Sequence, residues 1–188
     1  DGSQWHAIGL IRKKGIDLRN AKFSIGPDSV LILTGLGTDY RGEVYEWYTW
    51  VAYSIDGRDW SPPRRVRGIP SNNWFYDLTW QDSFGYAIPM IAGTDPTTGI
   101  VQSRQRRMAL FRTQDGMNYE QVGDTLASSP LVGEALVRFK PNKDMFILIR
   151  DGGGHSVSGY YGKGKPPYDS LHLMPLDHGL GGPNLVYL

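Results

Sequence analysis

Cysteine is absent from this 188-residue chain, which excludes disulfides and thiolate metal ligands. An excess of either charge sign is missing as well. Twenty Lys and Arg stand against nineteen Asp and Glu, a formal charge of +1, so no global field draws the chain toward nucleic acid. The clusters Arg12-Lys13-Lys14, Arg64-Arg65 with Arg67, and Arg104 with Arg106-Arg107 read as solvated loops and strand edges. No apolar run is long enough to imply membrane insertion, and no signal peptide is visible. A chain that opens at Asp1 without Met is compatible with processing or excision from a longer protein, and with an extracellular or periplasmic location. His6, His155, His172 and His178 lack the spacing of a metal site. Gly152-Gly153-Gly154 lacks the Lys-Ser or Lys-Thr ending of a phosphate loop. No metal and no cofactor are therefore expected. Helical stripes are scarce too, because 24 Gly and 12 Pro cut the chain into short segments.

What is abundant is aromatic and β-branched sequence, with six Trp, eleven Tyr and six Phe, residues that suit packed sheet faces and also sugar-binding surfaces. Phe23 and Ile25, then Val30 to Leu33, flank Gly26-Pro27-Asp28 as strand, turn, strand. Val44 to Tyr53 reads as a strand leading into Ser54-Ile55-Asp56-Gly57-Arg58-Asp59-Trp60. Trp74 to Trp80, Tyr86 to Ala92 and Arg107 to Phe111 follow, and then a second turn, Thr113-Gln114-Asp115-Gly116-Met117-Asn118-Tyr119. A hydroxyl residue, Asp-Gly and an aromatic recur in the same order 59 residues apart. Asp-Gly suits a tight turn because Gly accepts positive φ and Asp accepts backbone hydrogen bonds. Ala135 to Phe139 and Met145 to Ile149 make a further hairpin. First strands near residues 21, 74, 134 and 183 give a repeat of about 50–60 residues.

The expectation is an all-β chain of four-stranded antiparallel blades around a channel. It reads as one propeller domain over residues 1–188, or part of one, because little more than three blades are visible where closed propellers use about four to eight. A continuation beyond Leu188 is expected on this reading. A β-sandwich of hairpins is the alternative that strand spacing alone leaves open.

The turns at Ser54 to Trp60 and Thr113 to Tyr119 resemble the Asp-box turns of the sialidase-like β-propeller family, whose S-x-D-x-G-x-x-W pattern is contracted here. In that family the boxes are structural, so Asp56 and Asp115 are not assigned chemistry. The resemblance extends to Glu134 at the start of one hairpin strand and Arg150 at the end of the next, and to Arg19 before the first inner strand. It implies that Arg19 and Arg150 bind a substrate carboxylate, as a planar guanidinium fork does well. It also implies that Glu134 activates a nucleophilic Tyr and that a separate Asp assists acid–base chemistry.

Asp39 is the acid–base candidate, with Glu43 as the alternative and a turn-capping role as the structural reading. Asp77 is a candidate substrate contact on a strand where period-two geometry gives it one face and leaves open whether that face is the channel side. Tyr40, Tyr76 and Tyr160 are candidate nucleophiles whose default role is packing or stacking. No third Arg is assignable near Gly182-Pro183-Asn184, and the gap from Arg19 to Glu134 is shorter than the family pattern. The leading expectation is an exo-acting glycoside hydrolase that releases a terminal acidic sugar. The competing one is a non-catalytic propeller that binds an acidic or neutral glycan, or a protein.

Overall fold

The computed structural model describes residues 3–42, 45–98, 100–152 and 159–186. Among the described residues the backbone is all-β, with a single 3-10 turn at Pro27–Ser29. The first sheet contains β1 (Ile16–Ile25), β2 (Leu31–Asp39), β3 (Glu46–Ser54) and β4 (Arg64–Arg65) in sequential antiparallel order. The third repeats that order with β11 (Val132–Phe139), β12 (Met145–Asp151), β13 (Gly159–Gly164) and β14 (His172–Leu176).

Between them lie β5 (Asn73–Trp74), β6 (Thr79–Gln81), β7 (Phe84–Ala87), β8 (Met90–Thr94), β9 (Val101–Thr113) and β10 (Tyr119–Ser128). Both β7 and β8 pair with β9, while β6 pairs with β7 and β5 with β8. The six strands therefore form four rows: β5 with β6, β7 with β8, β9, and β10. Pro89 explains the break in the second row, since it has no amide to donate to a ladder. Three consecutive four-row antiparallel meanders are the blade unit of a β-propeller, in place of the two packed sheets of a sandwich. Residues 179–186 carry no strand.

Alternation along the strands stacks the blades. In β7, β8 and β9 of the middle blade, Tyr86, Met90, Met108 and Leu110 enter one buried cluster with Ala135, Val137, Ile147 and Ile149 of the third blade. Their neighbours Ala87, Ile91, Ala109 and Phe111 enter another with Ile32 and Val51 of the first. Period-two geometry thus sends successive side chains to opposite neighbours, and the middle blade is buried on both faces. Truncating a side chain as enclosed as Leu110, which has no exposed surface, costs about 2–5 kcal/mol.

The two Asp-Gly turns have one hydrogen-bond plan. The Ser54 hydroxyl accepts from the Gly57 amide at 2.9 Å and donates to Asp56 Oδ1, which accepts from the Arg58 and Asp59 amides at 2.8 and 2.9 Å. Thr113 and Asp115 repeat this with the amides of Gly116, Met117 and Asn118. Gly57 and Gly116 adopt φ of 76° and 74°, a region in which a Cβ is disfavoured.

Candidate active site

All three inner rows are irregular where the sequence candidates sit. In β1 the register slips between Arg19, opposite Leu36, and Lys22, opposite Thr34. One residue is therefore extra, and Asn20 takes φ of 55°. The bulge brings Arg19 and Lys22 to one face of the strand, whereas an unbroken strand would send residues three apart to opposite faces. Leu36 marks that face by packing into the cluster shared by the second and third blades.

In the middle blade the inner row is interrupted at residues 75–78, where Tyr76 and Asp77 lie. In β11 the register slips again between Val132 and Ala135, which places Glu134 in a bulge. Bulges re-aim side chains and are frequent beside functional sites.

These irregularities bring four side chains together. The Lys22 ammonium donates to Tyr76 Oη at 3.2 Å and lies 4.3 Å from the Tyr76 ring centre. The Arg150 guanidinium donates to Glu134 Oε2 at 3.3 Å. Gly182 links the two pairs: a Cβ built there would lie 3.0 Å from Tyr76 Oη and 3.8 Å from Glu134 Oε2. Lys22, Tyr76, Glu134 and Arg150 thus form a line of cation, phenol, carboxylate and cation across the inner ends of three blades, with Gly182 against its centre. Glu134 is the more enclosed member of its pair, with 20% side-chain exposure against 42% for Arg150.

The remaining candidates have other partners. Arg19 donates to Asp17 and, at 2.8 Å, to Tyr40 Oη, while Tyr40 meets Tyr45 edge-on. The Asp39 carboxylate accepts from Arg41 Nε at 2.9 Å, Nη2 at 2.6 Å and the Arg41 amide at 3.0 Å. The Arg41 side chain, followed by its amide, pulls the Asp39 pKa down to about 2. That pair holds Asp39 as a carboxylate further into acid than an ordinary Asp. Asp77 is paired with Arg138 at 2.5 Å and accepts from the Leu78 amide. Together with Arg138 it lines a cavity of about 290 Å³ along the inner rows. Tyr160 packs against the core between the second and third blades. Glu43, His155 and the Gly153-Gly154 stretch lie outside the described residues.

Among the described residues, no group of three His, Asp or Glu side chains is placed to hold a metal ion, and no helix is long and apolar enough to cross a membrane.

No family model and no curated protein matches the chain. Among solved structures, the chain is similar to Bombyx mori GH32 beta-fructofuranosidase BmSUC1 at a TM-score of 0.48 and 15% sequence identity. The similarity covers 82% of this chain and 35% of that one, so the chain spans about a third of that protein's length.

Lys22 and Gly182 were not singled out from the sequence. For Lys22 a signal was present, since Asn at position 20 tolerates the left-handed conformation that such a bulge uses, but the extra residue shows only against the partner strand. Gly182 carried no signal separable from its many fellow glycines.

Proposed function

We propose that the chain carries a glycoside-hydrolase site for a terminal acidic sugar, centred on Tyr76 and Glu134. The observation that carries this reading is the approach of the Tyr76 hydroxyl and the Glu134 carboxylate to the same point beside Gly182, with Lys22 on the phenol and Arg150 on the carboxylate. In this reading Glu134 accepts the Tyr76 proton as the phenol oxygen attacks the anomeric carbon and the glycosidic C–O bond breaks, the departing oxygen taking a proton from the acid or from water. Water then cleaves the glycosyl–Tyr76 bond, and the phenol regains its proton from Glu134. The Lys22 contact steadies negative charge developing on that oxygen. Arg150 and Arg19 supply the planar forks that hold the sugar carboxylate.

Asp39 is retained as the acid–base partner: paired with Arg41 it is a carboxylate and serves as a base. An acid role requires substrate both to draw Arg41 away and to enclose the carboxyl, since loss of the pair alone leaves an ordinary, ionised Asp. Asp77 acts through Arg138, which fixes the segment carrying Gly182.

The test is hydrolysis of aryl glycosides of acidic and neutral sugars by the full-length protein. Release of a terminal acidic sugar, reduced about 100-fold or more by Glu134→Gln with folding intact, supports the proposal. Unchanged turnover in Glu134→Gln overturns the role of that residue. Glycan binding with no turnover in the unaltered protein favours the recognition-module reading, which the existing Glu134–Arg150 pair also suits.

A further inference from the structure

A second concave site lies in the middle blade, on the side that leads into Glu134. The pairing of β8 with β9 slips between Ala92, opposite Arg106, and Gly93, opposite Gln102, so residues 103–105 are extruded as a bulge. Gly93 makes room for it, because a Cβ there would lie 2.9 Å from Gln105 Cβ and 3.2 Å from the Gln105 carbonyl oxygen. The extrusion groups Arg104 with Arg106 and Arg107 along a cavity of about 450 Å³ whose lining includes Ser128 and Ser129 and no carboxylate.

The wall is held by other groups. Ser128 donates to the Arg106 carbonyl at 3.2 Å, and Ser129 donates to Asp151 at 3.1 Å while accepting from the Leu131 amide. Arg106 donates to the Val132 carbonyl at 3.4 Å, which ties the cavity to β11 two residues before Glu134. No ion pair among the described residues engages Arg104 or Arg107. The nearby Asp95 carboxylate is turned to its own hairpin, accepting the Thr97 and Thr98 amides at 2.8 and 3.0 Å and the Gln102 side chain at 3.3 Å.

Arg104 and Arg107, lining a concavity that has no carboxylate among its lining residues, focus positive potential there and offer paired donors to a planar or tetrahedral anion. We infer that this cavity is an anion subsite, taking the sulfate ester or carboxylate of a glycan through Arg104 and Arg107. Its tie to β11 makes it the site for an acidic substituent on a sugar next to the one held at Glu134, which narrows the substrate to chains acidic at more than one residue. That placement rests on the hydrolase reading, whereas anion binding by the cavity does not.

The test is titration calorimetry with the full-length Glu134→Gln protein, which removes turnover from the measurement. The probes are a sulfated oligosaccharide, an oligouronide, the neutral parent oligosaccharide and inorganic sulfate, at two salt concentrations. At least tenfold tighter binding of one acidic oligosaccharide than of the neutral parent is expected, and which one binds names the anion. That preference should fall about tenfold in Arg104→Ala with Arg107→Ala and persist in Arg12→Ala with Lys14→Ala, which removes the same charge elsewhere. Equal loss in both double variants, retention in the first, or binding of sulfate without either acidic oligosaccharide overturns the subsite. Should Arg107→Ala not fold, Arg104→Ala alone, exposed on the bulge, carries the test. Failure of hydrolysis in the unaltered protein leaves this readout intact, so the two proposals fail separately.

Discussion

The Tyr76 hydroxyl and the Glu134 carboxylate, on the inner rows of adjacent blades, face a single glycine: Gly182 has no side chain where one would stand 3.0 Å from the phenol and 3.8 Å from the carboxylate. Gly182→Ala is therefore predicted to shift the phenol rather than unfold the protein, because the atom it meets is the far end of a side chain. On the hydrolase reading kcat should fall roughly 10- to 100-fold, as small misplacements at a reacting centre do, with little change in thermal midpoint. Gly181→Ala, which meets nothing within 4 Å, is the control. Equal kinetics for the two variants would remove Gly182 from the site.

The twin turns should be the most sensitive loops of the first and second blades. Thr113→Val removes the hydroxyl that accepts the Asp115 and Gly116 amides, with an expected loss of about 1–3 kcal/mol. Gly116→Ala places a Cβ at φ of 74° and should cost about 1–2 kcal/mol. Chemical denaturation measures both. Neither should affect glycan binding, because the turn hydroxyls and carboxylates bond within their own turns and not to Lys22, Tyr76, Glu134 or Arg150; a selective loss of binding in a stable Thr113→Val protein would contradict the structural assignment.

Much of this fold was legible in the sequence because its physics is local. Asp-Gly between aromatic strands specifies the turns, and alternating apolar residues from Ala135 to Phe139 and Met145 to Ile149 specify a hairpin. The departures are equally physical. Trp74 to Trp80 reads as one strand, yet Phe75 and Leu78 are drawn into the core beside the first blade, and the row opens between β5 and β6. The candidate site was visible as residue types at Glu134 and Arg150, which meet as an ion pair. It was invisible as a constellation because the bulges at Asn20 and Glu134 are set by partner-strand register. Arg104 looked like a solvated edge for the same reason.

Stability should decline steeply in acid. Asp39, Asp56 and Asp115 all have lowered folded-state pKa values, Asp39 through the Arg41 side chain and Asp56 through the Asp59 and Arg58 amides. In Asp115 burial pushes upward, but bonds from the Asn118 amide and side chain, Met117 and Thr113 outweigh it. A depressed carboxyl pKa contributes stability above the unfolded value, about 3.9, and loses it as pH falls through the folded value. The thermal midpoint should accordingly drop between about pH 4 and about pH 2, the value to which Asp39 is pulled. Replacing Asp56 and Asp115 by Asn should lower the midpoint at pH 7 and flatten its fall in acid. An undiminished slope would mean that other carboxyls govern the transition.

Arg138 is the fastening between the second blade and the segment that bears Gly182. It donates to Asp77 Oδ2 at 2.5 Å, Thr79 Oγ1 at 3.0 Å, the Leu185 carbonyl at 3.1 Å and Asn184 Oδ1 at 3.4 Å. Its partner Asp77 is only 14% exposed, so Arg138→Ala leaves an enclosed carboxylate without a counter-charge. The loss should be about 1–3 kcal/mol, below that of a fully buried pair, because Arg138 itself is 31% exposed. Asp77→Ala with Arg138→Ala should cost less than the sum of the single changes, with a coupling of about 1–2 kcal/mol. Exchange of the Leu185 amide should quicken in Arg138→Ala, and turnover should fall with the displacement of Gly182. Additive stabilities within about 0.5 kcal/mol would show that the pair is not what holds the segment, and unchanged exchange at Leu185 would show that Asn184, whose side chain accepts that amide at 2.9 Å, holds it alone.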